Sequence, residues 1–90
     1  MVNGADFLDK TALIIRERGE AYGSPKANMQ AIADRWNMLL AGKTKVTPAM
    51  VCLMMIDLKL ARCQYRLATD SVTDIAGYAA CLAEILSNEN

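Results

Sequence analysis

"TPAMVCLMMIDLKLAR", residues 47–62, decides the fold. Thr47 followed by Pro48 is a helix start: a hydroxyl to cap the first free amide, then a proline where its missing N–H is of no consequence. From Pro48 to Leu58 every residue is apolar except Asp57. A helix with so little polar surface is buried, either at the centre of its own domain or against another subunit. No period-two alternation or hairpin signal competes with this pattern elsewhere, so the chain reads as all-α.

Working outward, a second start of the same type stands at Ser24-Pro25, inside "RGEAYGSPKANMQAIADRW", residues 18–36. It opens a helix whose apolar stripe is Met29, Ile32, Ala33, Trp36, Leu39 and Leu40, with Gly42 as its stop. Ahead of it, a first helix runs from Gly4 or Ala5 to Arg18. Asn3 or Asp6 is its cap, Phe7, Thr11, Ile14 and Ile15 form its inner face, and Gly19 ends it. A fourth helix opens at "DSVTD", residues 70–74, where Ser71 and Asp74 have capping-box spacing. Its small residues Ala76, Gly77, Ala79, Ala80 and Ala83 would admit a neighbouring helix closely. The expectation is a compact four-helix domain spanning residues 1–90. A ninety-residue core is marginal by itself, so assembly as a homo-oligomer is expected too.

Ten cations balance ten acids, so no net field favours general binding to nucleic acid. The absence of histidine removes Ser-His-Asp and Cys-His catalysis and the usual neutral-pH base. Cys52, Cys63 and Cys81 lack CxxC spacing and lie in helical pattern, so they read as reduced core or interface residues. The start, "MVNGADFLDK", carries acids where a signal peptide carries cations, and no apolar run reaches the ~18 residues a membrane span needs. A cytoplasmic protein without membrane attachment is expected.

Several side chains carry candidate chemistry. On a helical wheel Asp57 shares a face with Met50, Leu53, Met54, Leu60, Ala61 and Gln64. A carboxylate in such a stripe needs an arginine, a ligand or a metal. Lys59, Arg62 and Arg66 recur at i, i+3 and i+7 on the opposite face, either as a phosphate clamp or as a solvated strip. Gly19 and Gly23 allow a tight corner, after which Ser24-Pro25 launches a helix whose first amides form an anion site. Arg18, Tyr22, Lys26 and Asn28 surround that corner. Asp74 either caps its own helix or joins Asp70 as a magnesium pair, with Glu20 in reserve. Trp36 reads as core before base stacking, and Tyr78 is placed to turn its hydroxyl to a carboxylate.

Taken in order, "RGEAYGSPKANMQAIADRW", "TPAMVCLMMIDLKLAR" and "DSVTDIAGYAA" resemble a family of small bacteriophage and prophage proteins. More distantly, they are similar to phage nucleotide-modification-associated domains and to the all-α nucleotide pyrophosphohydrolases of the MazG type. MazG-type enzymes gather magnesium with E-E-x-x-E and E-x-x-D motifs. Here the long helix keeps one acid, Asp57, and Asp70 and Asp74 stand four apart instead of three.

The resemblance therefore implies a phage-encoded, non-catalytic nucleotide-binding protein in the infected host cell, a sponge for a nucleotide-derived immune signal. It needs no cofactor and would use Arg18, Tyr22, Lys26, Asn28, Lys59, Arg62, Arg66, Asp74 and Tyr78. The alternative it implies is a divergent magnesium-dependent nucleotide pyrophosphohydrolase with Glu20, Asp57, Asp70 and Asp74 as metal ligands. A further alternative is a protein-interaction module that offers the methionine-rich helix to a host protein.

Overall fold

The computed structural model describes residues 3–89, apart from the side chains of Tyr22, Asn88 and Glu89. Four helices follow one another among the described residues: α1 (Gly4–Tyr22), α2 (Pro25–Leu40), α3 (Pro48–Tyr65) and α4 (Thr69–Glu89). The starts are set by local chemistry. Asn3 Oδ1 accepts from the Asp6 N–H at 2.8 Å, Ser24 Oγ from the Ala27 N–H at 3.2 Å, and Thr47 Oγ1 from the Met50 N–H at 3.2 Å. Each cap satisfies an amide that the helix itself leaves free.

The ends differ from expectation. α1 runs through Gly19 and stops at Gly23, whose φ of 83° suits glycine and whose N–H donates to the Gly19 carbonyl. α2 is closed by Ala41 in the left-handed region (φ 54°, ψ 36°), one residue before Gly42. α4 starts earlier than the capping-box reading placed it, because the Ala68 carbonyl already accepts the N–H groups of Ser71 and Val72. Asp74 is thus inside the helix and is not its cap.

The core is small: Met29 and Ala33 of α2, Val46 of the following loop, Val51 and Cys52 of α3, and Ile85 of α4, with Trp36 and Tyr78 packed against it. α3 and α4 make the most extensive contact, whereas α1 touches the rest more lightly and, among its described side chains, fully buries only Thr11. The expected α1 face of Phe7, Thr11, Ile14 and Ile15 does point inward. On α2, Leu39 and Leu40 are exposed, and Asn37 takes an inward place in their stead. Its Nδ2 donates to the Val46 carbonyl at 2.9 Å and its Oδ1 accepts from the Val46 N–H at 2.7 Å, which pins the α2–α3 loop over the core.

α3 corrects the sequence reading most. Val51, Cys52, Met55, Ile56 and Lys59 face inward, and the stripe Met50, Leu53, Met54, Asp57, Leu60 faces outward. Asp57 therefore lies in solvent on an apolar face, not in the interior. On α4, Ala79, Ala80 and Ala83 are exposed and receive no neighbouring helix among the described residues. No helix among the described residues is long and apolar enough to cross a membrane.

Candidate functional site

Because α1 is only lightly docked, a cavity of about 330 Å³ remains between it, the start of α2 and the middle of α4. That volume is at the lower end of the roughly 300–1,000 Å³ range of small-molecule sites. Ile15, Met29, Ile32 and Cys81 give it an apolar floor, and Arg18, Asn28, Asp74 and Tyr78 give it a polar wall. Gly77 lines it without meeting a neighbour, so a missing side chain on α4 contributes to the space.

Asp74 organises the wall. Its Oδ2 lies 2.9 Å from Lys59 Nζ, and its Oδ1 lies 3.6 Å from an Arg18 guanidinium nitrogen. The two partners differ. Lys59 is 13% exposed and held behind the carboxylate, while Arg18 is 57% exposed at the longer distance. Two cations around one acid leave the cluster with a net positive charge, and the looser cation is the one lining the cavity. That arrangement suits an anionic group entering beside Arg18, with the Asp74 carboxylate accepting from ligand donors.

The α2 start offers less to an anion than its sequence suggests. Pro25 has no N–H, the Ala27 N–H is taken by Ser24 Oγ, and the Asn28 N–H donates to the Ser24 carbonyl. Lys26 N–H is the amide of that turn left over, so helix-end recognition would rest on one group and the dipole.

The structure therefore brings together Arg18, Asn28, Asp74 and Tyr78, with Lys59 attached through Asp74. Lys26, Arg62 and Arg66 are exposed and do not line the cavity. The Tyr22 side chain lies outside the described residues; its backbone closes α1. Glu20, Asp57, Asp70 and Asp74 are not gathered: no group of three or more metal-type ligands occurs among the described residues. Ile15, Met29, Ile32 and Cys81 were missed as lining residues, since in sequence a cavity floor and a packed core share one signal. Burial pushes the Cys81 thiol above its ordinary range, aided by nearby Glu84, so it lines the cavity as a neutral thiol.

Residues 15–32 and 74–81, which supply these walls, fall within a family match covering residues 6–86. The chain is also similar to the Gene 55 protein of Mycobacterium phage L5, 39% identical over 74 residues. The alignment takes in 81% of this chain and 47% of the phage protein, so the chain spans about half the length of that relative. No solved structure matches. Kinship with phage proteins is thereby shown; neither match extends to enzymes of the MazG type. The match runs across nearly all of the sequence, and the chain belongs to the DUF6378 family, described as a domain of unknown function.

Proposed function

We propose that this phage-related protein binds a nucleotide or nucleotide-derived small molecule in the α1–α2–α4 cavity and holds it without turnover, as a sponge for a nucleotide signal. One observation carries the reading: a single cavity combines an apolar floor with Arg18, Asp74, Tyr78 and Asn28 on one wall. A base or other flat apolar group occupies the floor against Ile32 and Met29. Arg18 takes a phosphate, and the Asp74 carboxylate, fixed by Lys59, accepts from a sugar hydroxyl or a base edge. Tyr78 and Asn28 read the remaining polar positions. An apolar floor beside an exposed arginine supports the ligand class, and acids that are not gathered among the described residues favour retention over magnesium-dependent hydrolysis. The working form is a homo-oligomer in the infected cell.

Isothermal titration against a panel of cyclic and ADP-ribose-type nucleotides tests this. A saturable heat with at least one compound is expected, and recovery of that compound unchanged after incubation with Mg²⁺. Flat heats across the panel overturn binding; release of monophosphate or pyrophosphate overturns retention.

A further inference from the structure

Resting on the nucleotide reading above, we infer that Gly19 and Gly77 decide which base the cavity admits, because the flat ring of the ligand is received against bare helix backbone at these two positions. The residues that line the cavity recur at helical spacing. On α4 they are Asp74, Gly77, Tyr78 and Cys81, at i, i+3, i+4 and i+7; on α1 they are Ile15, Arg18 and Gly19, at i, i+3 and i+4. Gly77 thus stands in the middle of the α4 face, among side chains that line the same space, and a side chain there would enter the cavity. Gly19 holds the matching place on α1.

Packing gives no reason for either glycine. A glycine inside a helix is destabilising relative to alanine, and its usual explanation is an approach too close for a Cβ. A Cβ at Gly19 or at Gly77 would meet no other element within 4 Å, and neither residue has a positive φ. Gly4, the chain's other helical glycine, is at the very start of α1, so both glycines that lie deeper in a helix line this one cavity. What the missing side chains provide is access: two walls present peptide backbone to whatever enters, and a planar ring can approach such backbone closely. The polar groups are next to these gaps. Arg18 precedes Gly19 and Asp74 lies one turn before Gly77, so a base seated there is beside the groups assigned to phosphate and sugar.

The test is calorimetry of the full chain with cyclic AMP, cyclic CMP and ADP-ribose as probes, together with thermal midpoints. Gly77→Ala, Gly19→Ala and Gly77→Leu are compared with Ala79→Leu, which adds bulk on the opposite, exposed side of α4. The two alanine variants should melt higher, by about 2–8 °C, since alanine restricts the unfolded chain and nothing stands in its way in the fold. Each should nonetheless bind at least about tenfold more weakly, the discrimination that one carbon makes in a filled pocket. The preference for cyclic AMP over cyclic CMP should fall, because the wider base needs more of the slot. Gly77→Leu should give no saturable heat, and Ala79→Leu should bind as the wild type does. Unchanged affinities in both alanine variants, or a loss that leaves the preference between bases as it was, overturn the assignment and leave nucleotide binding standing. A lower midpoint in either alanine variant shows that the fold itself requires the glycine and also overturns it. A wild type that gives no heat with any probe overturns the nucleotide reading and this assignment with it. Should Gly77→Leu fail to fold, the alanine variants decide, since each adds a single methyl group.

Discussion

Asp74 illustrates what a single position reveals and hides. Its spacing from Ser71 is that of a cap, and only the earlier start of α4 turns it inward to Lys59 and Arg18. The two ion pairs separate by measurement. Asp74→Asn strands Lys59, which is largely buried, and should lower unfolding free energy by about 1–3 kcal/mol. Arg18→Gln breaks a long, exposed pair and should change stability by less than about 0.5 kcal/mol. The same Arg18→Gln should weaken nucleotide binding about tenfold or more, so urea unfolding beside calorimetry divides a ligand contact from a structural one. A loss of stability in Arg18→Gln as large as in Asp74→Asn would count against its role at the rim. Cys52 makes a second case. Burial, reinforced by Cys81 nearby, pushes its thiol from the ordinary 9.0 up to about 11. The folded protein therefore keeps a proton that the unfolded chain loses first. The stability linked to it is whole below pH 9 and declines as pH rises through 9 to 11. Subtracting the urea-midpoint profile of Cys52→Ala from that of the wild type should isolate this decline; a flat difference would show that the thiol is not shielded from water.

Three of the four helix starts are legible because Asn3, Ser24 and Thr47 act through their own side chains on amides three residues on, whereas the start of α4 is not. Helix ends are not. Gly19 is tolerated inside α1, since a glycine in a helix costs only about 1 kcal/mol. Nor does local pattern announce that Ala41, and not Gly42 alone, takes the left-handed conformation. Ala41 at φ 54° is a position where the side chain is a liability. Ala41→Gly should accordingly raise stability by about 0.5–1 kcal/mol, the relief of left-handed strain outweighing the added freedom of the unfolded chain. Thermal melts at fixed concentration check the sign, and a lower midpoint would mean that the Ala41 methyl packs usefully in this turn. Arg18 and Gly19, near the end of α1, and Gly23 at its close form one wall of the cavity.

At the scale of the molecule, the sequence limits α3 to a buried helix but leaves open which side is inward, since it is apolar nearly all round. Tertiary packing makes that choice: Val51, Cys52 and Lys59 meet α2 and α4, and the face holding Asp57 is left outside. The small core has a thermodynamic consequence for the proposed homo-oligomer. If the oligomer forms only from folded chain, association adds to stability by mass action, as any ligand of the native state does. The thermal midpoint should then climb with protein concentration, whereas a monomer's is fixed. Each tenfold increase in chain concentration adds up to about 1.4 kcal/mol per mole of dimer. For a domain near this size that is a shift of several degrees, given about 4–8 °C per kcal/mol per chain. Scanning calorimetry over a hundredfold range of concentration makes the comparison. A wild-type midpoint that does not move over that range would require these six core residues and the lightly docked α1 to sustain the fold unaided.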